Sequence, residues 1–245
     1  LEQPIEEDRV TGEINWERRF DHIQQHTGQH LLSQVFMTRC KAETLSFHLG
    51  AESSSIDIDG SGFSNESIND VEMTANQMIY ENREVLSHIV NKDEVRRFPV
   101  RKMPAVEENI RIIEIKGFDY SPCGGTHCSR TGEIGILKIT RVENDKGGTR
   151  VHFLCGGRAL RDYQHKSVTL TNLSDSMSSG EHDLLQNVEK LQEEAKTLRK
   201  EQNELTTQLL DYEARALISE RERHGDLYIL KKIFDDRNPK DLRTL

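Results

Sequence analysis

The sequence predicts an α+β fold in which helices pack on an antiparallel sheet, followed by a long helical, coiled-coil arm. Three observations carry this reading. Apolar residues recur at helical spacing near the start, alternating stretches joined by glycine turns fill the middle, and a heptad register runs toward the end.

The first helix is predicted from Arg18 to about Phe36. Phe20, Ile23, His26, His30 and Gln34 share one side of it, with Leu31 and Val35 alongside. Residues Thr44 to Ile58 read as extended, because Leu45, Phe47 and Leu49 alternate with polar residues, as do Ile56 and Ile58; Gly60 and Gly62 then mark a turn. Ser67 to Asn82 reads as an amphipathic helix carrying Ile68, Val71, Ala75, Met78 and Ile79, with Asn65 or Ser67 as its cap. A strand is expected at Ile110–Ile115. A hairpin is expected from Gly135–Val142 and Thr149–Leu154 around Gly147-Gly148.

Beyond Gly156-Gly157 the character changes. Arg158–Met177 reads as helical, and Ser178-Ser179-Gly180 breaks it. Leu184, Val188, Leu191, Ala195, Leu198, Gln202, Leu205, Leu209, Tyr212 and Ala216 then alternate by four and three, a coiled-coil seam with one polar core position at Gln202. Such a seam closes either against Arg158–Met177 as an intrachain hairpin or against a second copy through residues 184–216. Leu227–Phe234 reads as a strand, with a helix start at Asn238-Pro239-Lys240-Asp241. The implied organisation is a remnant of a preceding domain at 1–17, a metal-binding domain at 18–157, a helical arm at 158–219 and the start of a further domain at 220–245.

Charged residues make up 31% of the chain and the hydrophobic set only 34%, so part of it is expected to be elongated and washed by solvent. A net charge of −9 argues against general affinity for nucleic acid. A local exception lies between Ile136 and Lys166, where Lys138, Arg141, Lys146, Arg150, Arg158, Arg161 and Lys166 outnumber Glu143, Asp145 and Asp162. No stretch approaches the roughly 20 apolar residues of a membrane span, and Leu1–Arg19 is too acidic and polar for a signal peptide. The four cysteines form no dense framework, which suits a reducing cytoplasm; Cys40 and Cys155 read as small buried apolar residues.

The chemistry concentrates in two motifs. His26-Thr27-Gly28-Gln29-His30 stacks two imidazoles one helical turn apart, so both ring nitrogens can reach one ion. In Cys123-Gly124-Gly125-Thr126-His127 a thiolate and an imidazole are joined by glycines that let the backbone bend tightly. Together they offer a tetrahedral set of three nitrogens and one sulfur, suited to zinc. His22 extends the helical row as a partly exposed residue.

The pairing of HTGQHLLS with SPCGGTHCSRTGEIG resembles the editing domain of alanyl-tRNA synthetase, and more closely the free-standing alanyl-tRNA editing proteins of the AlaX type. SFHLGAESSSIDID and GGTRVHFLCGGRAL add to a resemblance that covers roughly Gly12–Leu160. It implies the editing-domain fold, hydrolysis of seryl or glycyl esters of tRNA(Ala), a tRNA acceptor end as partner and zinc as cofactor. The family's ligands fall on His26, His30, Cys123 and His127. Cys128 stands where relatives commonly carry valine, a neighbouring thiol that could compete as ligand or be oxidised. Thr44, Ser46 and His48 match the family's pocket wall, where a hydroxyl could hydrogen-bond a serine side chain. Gln29 and Thr126 flank ligands and are expected to orient them. Lys138, Arg141, Lys146 and Arg150 are expected to hold RNA. The arm and Leu227–Leu245 resemble the linker and first elements of a DHH-associated C-terminal domain. The alternative is a zinc-stabilised RNA-binding or oligomerisation module without hydrolysis.

Overall fold

The structure, a computed structural model, describes residues 9, 11–101, 103, 106–145 and 147–235. Most of the 1–17 segment's first half, Lys146 and the expected helix start at 238–241 lie outside the described residues.

Helix α1 spans Trp16–Cys40, longer at both ends than its apolar spacing suggests. The caps explain the difference: Asn15 accepts a hydrogen bond from the Arg18 amide at 2.9 Å, and Lys41 turns left-handed at φ 56°. The expected strand region divides into β1 (Thr44–Leu49) and β2 (Ser54–Asp59). Helix α2 runs Asn65–Tyr80, and its cap is Ser64 rather than Asn65 or Ser67, since the Ser64 hydroxyl accepts from the Ser67 amide. Strand β3 (Val85–Val90), the short helix α3 (Lys92–Val95) and β5 (Asp119–Pro122) had no clear periodic signal, whereas β4 (Ile110–Ile115) did. Strands β6 (Leu137–Asp145) and β7 (Gly148–Cys155) form the expected hairpin.

Two antiparallel sheets result, one ordered β1-β2-β7-β6 and the other β3-β4-β5. The apolar faces of α1 and α2 meet the first sheet in one core, with Leu31, Phe36, Val71, Ile79, Ile56, Ile58, Val151 and Phe153 all at or near zero exposure. Truncating a ring such as Phe36 to alanine there costs about 3–5 kcal/mol. A smaller cluster of Val95, Ile110 and Ile112 closes the second sheet with Phe98 and Tyr120. Helix α1 is tied down by polar bonds as well. The buried Gln25 amide exchanges two bonds with the Cys155 backbone (3.0 and 2.9 Å), and Arg158 grips Asp21 at 2.6 Å.

Helix α4 follows at Gly156–Ser176 and α5 at Leu184–Ser219. The chain divides into two compact units, 1–166 and 167–245, the division falling within α4. In the second unit the expected strand shortens to β9 (Leu227–Ile229), paired with β8 (Glu222–His224). The heptad positions Leu191, Leu198, Leu205, Leu209 and Tyr212 are exposed, while Leu184, Leu210 and Leu217 are buried. No described helix is long and apolar enough to cross a membrane.

Candidate metal centre

Helix α1 carries His26 and His30 one turn apart, and the turn after β5 brings Cys123 and His127 against them. One ligand atom from each of the four lies within 4.8 Å of every other. The Cys123 sulfur is 3.4 Å from His26 Nε2 and 3.4 Å from His127 Nε2. Tetrahedral zinc bonds of 2.0–2.3 Å would separate a sulfur and a nitrogen donor by roughly 3.5 Å, so the donor set fits such an ion in both chemistry and spacing. The glycines make the approach achievable. A Cβ on Gly125 would stand 2.2 Å from His26 Cε1, and one on Gly28 would stand 2.3 Å from Cys155 Sγ.

The electrostatics favour a thiolate. Burial pushes the Cys123 thiol up, but the His127, His26 and His30 imidazoles gathered around it outweigh that and hold the group at about 3. Burial pushes the His127 imidazole down to about 4, leaving a neutral ring. Cys128, by contrast, is buried in the core outside the group, and burial pushes its thiol up to about 11. Cys155 is fully buried with its thiol raised for the same reason, Cys40 is half-buried, and His22 lies half-buried outside the group.

Two ligands are held from behind. Thr27 donates its only proton to the Ile23 carbonyl at 2.9 Å and accepts from the Cys128 amide at 2.9 Å. Its remaining lone pair faces His127 Nδ1 at 3.4 Å, so Nδ1 carries the proton and Nε2 presents its lone pair to the cluster. Asp119 Oδ2 stands 3.6 Å from His30 Nδ1 and accepts from the Ser121 hydroxyl at 2.9 Å, while Arg101 donates to Oδ1 at 2.9 Å. Burial opposes its charge, yet the nearby His30 imidazole and Arg101 hold the Asp119 carboxyl below its usual range. Burial lowers the His30 imidazole, and Asp119 and Cys123 more than restore it. Thr27, Asp119 and Arg101 were not singled out in the sequence. Thr27 lies inside the first motif and was within reach of a helical-face argument; Arg101 has no local signal.

The expected flanking residues divide. Gln29 is buried beside the ligands, whereas Thr126 is exposed and the hydroxyl that meets a ligand is Thr27's. A pocket of about 410 Å³ opens onto the centre, lined by His26, His30, Cys123, Gln29, Thr44, Leu45, Phe47, Arg101 and Ser121 among others. Of the three residues assigned to its wall, only Thr44 is there. A bulge at Leu45 shifts the register, pairing Thr44 with Ile58 but Ser46 with Asp57. Phe47 therefore shares the face of Thr44, half exposed at the pocket with its ring centroid 6.1 Å from that of His26. Ser46 bonds Asp57 at 2.5 Å and His48 lies 3.8 Å from the same carboxylate, away from the pocket.

The basic stretch is also altered by folding. Lys138 pairs with Glu72 at 2.7 Å, Arg141 with Glu143, Arg150 with Asp57 at 2.7 Å and Arg158 with Asp21. Glu72, Asp57 and Asp21 come from distant sequence, so a local count of charge overstates the free positive patch.

Residues 110–152 match the family described as the threonyl and alanyl tRNA synthetase second additional domain. More particularly, the chain is related over most of its length to the alanyl-tRNA editing proteins. It is 33% identical to alanyl-tRNA editing protein Aarsd1-A of Xenopus laevis over 80% of this chain and 48% of that protein. It is 28% identical to alanyl-tRNA editing protein AlaX-L of Pyrococcus horikoshii over 99% of this chain and 60% of that protein. With the alanine–tRNA ligase of Pyrococcus furiosus the identity is 30%, over 92% of this chain and 26% of that protein. The chain thus spans about half the length of the curated editing proteins it matches.

Proposed function

We propose that the chain hydrolyses the ester joining a wrong amino acid, serine or glycine, to tRNA(Ala), with zinc held by His26, His30, Cys123 and His127. The observation that carries this reading is the convergence of those four donors on the wall of an open pocket, in a chain related to alanyl-tRNA editing proteins. When bound, zinc supplies Lewis acidity to the ester carbonyl. The chain's own residues do the rest. Thr27 fixes the His127 tautomer, Asp119 and Arg101 hold His30, and the Thr44 hydroxyl and Phe47 ring shape the space for the aminoacyl group. Thr44, not Ser46 or His48, is the wall residue of this reading.

The acceptor end of tRNA(Ala) is the partner in this reading, met by Lys138, Arg141 and Arg150 exchanging carboxylate for phosphate. The editing unit is read as 18–157, the arm as 158–219, a homodimer forms through 184–216, and the setting is cytoplasmic. A second reading has one observation in its favour: four protein donors complete a tetrahedral set, as in structural zinc sites. That reading is a zinc-stabilised RNA-binding module without hydrolysis.

Metal analysis of the wild type beside His30→Ala and Cys123→Ala, paired with release of serine, glycine and alanine from tRNA(Ala), separates the two. The expected result is one zinc per chain, release of serine or glycine but not alanine, and loss of both metal and release in the variants. Zinc-loaded protein that binds the tRNA and releases nothing leaves only the second reading.

A further inference from the structure

The pocket's polar end is organised by a residue outside both motifs. Ser33 lies on α1 one turn beyond Gln29 and has zero exposure. Its Oγ accepts from Gln29 Nε2 at 2.9 Å and from the Thr44 hydroxyl at 2.7 Å. Both of its lone pairs are thereby used, and the Thr44 proton is directed away from the pocket. Thr44 Oγ1 then meets the pocket as an acceptor only. Gln29, its Nε2 tied to Ser33, is left with Oε1 buried and without a hydrogen-bond partner. Thr44 thus offers an acceptor to the pocket beside His26 and His30, and Gln29 keeps a buried, unpartnered Oε1 next to it.

We propose that Ser33 is a positioning residue for amino-acid specificity: it turns Gln29 and Thr44 so that the pocket accepts a hydrogen bond from a seryl hydroxyl. The inference rests on the deacylase reading and commits it to the seryl ester over the glycyl. A buried unpaired acceptor is costly, and a serine side chain relieves that cost while glycine and alanine have nothing to donate. The α-ammonium group, common to all aminoacyl esters, is the competing donor, and it predicts a different pattern.

The test compares wild type, Ser33→Ala, Thr44→Val and the double variant in kcat/KM on seryl- and glycyl-tRNA(Ala), with metal content and unfolding midpoint recorded for each. Ser33→Ala is expected to lower the seryl value about 10–100-fold and the glycyl value less than about threefold. The loss in the double variant on the seryl ester should be smaller than the product of the two single losses, since Ser33 acts in part through Thr44. Ser33→Cys, which keeps the volume and replaces a good acceptor with a weak one, gives the same pattern if alanine unsettles the fold. Equal losses on both esters assign the acceptors to the ammonium and overturn the proposal, as does an additive double variant. A binding arm stands apart from hydrolysis, using 3′-seryl-amido and 3′-glycyl-amido 3′-deoxyadenosine. Wild type should favour the seryl amide about tenfold or more, and Ser33→Ala should erase that preference. A wild type that shows the preference without hydrolysing either ester sinks the deacylase reading and keeps this one; a wild type without the preference overturns it.

Discussion

Thr27 Oγ1 has one proton and two lone pairs, and the Ile23 carbonyl, the Cys128 amide and His127 Nδ1 claim all three. Thr27→Val keeps the shape and removes the acceptor. The His127 ring then loses the bond that aims Nε2 at the cluster, and the Cys128 amide is left buried and unpaired. Metal affinity should fall about 10–100-fold, read by competition with a chelator, with a stability cost of about 1–3 kcal/mol. An unchanged dissociation constant would show that the turn alone holds the ring. A second residue-scale consequence lies at Asp57. The Arg150 hydrogen bond, set against partial burial and helped by Ser46 and His48, holds its carboxyl down to about 2. A carboxyl depressed on folding stabilises the native state above its ordinary value near 3.8, and that contribution is lost as pH falls toward 2. The difference in urea stability between wild type and Asp57→Asn should therefore be on the order of 1–2 kcal/mol at pH 5 and close to nothing by pH 2.

At the scale of elements, the turn after β5 and the bulge in β1 decide what the motifs can do. Gly125→Ala places a Cβ 2.2 Å from His26 Cε1, in a ring of the candidate metal group, so the turn must withdraw. Metal should drop well below one ion per chain in the purified variant, while the far-UV circular dichroism of the core elements persists. The bulge at Leu45 separates Thr44 from Ser46. Thr44→Val should impair serine release about tenfold or more, whereas Ser46→Ala and His48→Ala should stay within about threefold of wild type. This is where the sequence was least legible. Periodicity found α1, α2, β4 and the β6–β7 hairpin because each buries one regular face. Alternation alone put Thr44, Ser46 and His48 on one face, and one extra residue undid that. The convergence of His26, His30, Cys123 and His127 was legible because spacing and chemistry are local to two short motifs. Thr27 reaches His127, Asp119 reaches His30 and Ser33 reaches Thr44 across the fold, contacts that helical or strand periodicity does not show.

At the scale of the whole molecule, charge and the heptad seam show the same division. The basic stretch looked free only because Glu72, Asp57 and Asp21, its partners in the fold, lie elsewhere in the chain. The seam was legible as a register, and the structure adds that Leu191, Leu198, Leu205, Leu209 and Tyr212 stay exposed in the single chain. An uncovered row of leucines at alternating spacings of three and four residues is the surface a parallel or antiparallel two-stranded coil buries. Gln202 sits within the row, where a polar core residue sets register and number of strands at a cost in stability. A dimer through 184–216 makes Leu198→Asp and Leu205→Asp each place a carboxylate in the seam, next to its counterpart across the axis or buried against leucine. Equilibrium sedimentation at micromolar chain should give twice the chain mass for wild type and the single-chain mass for both variants. Gln202→Leu should tighten the dimer and loosen its specificity for two strands. A wild type that sediments as one chain across this range would instead leave the seam to a partner outside the chain, and the aspartate variants would then change nothing in its mass.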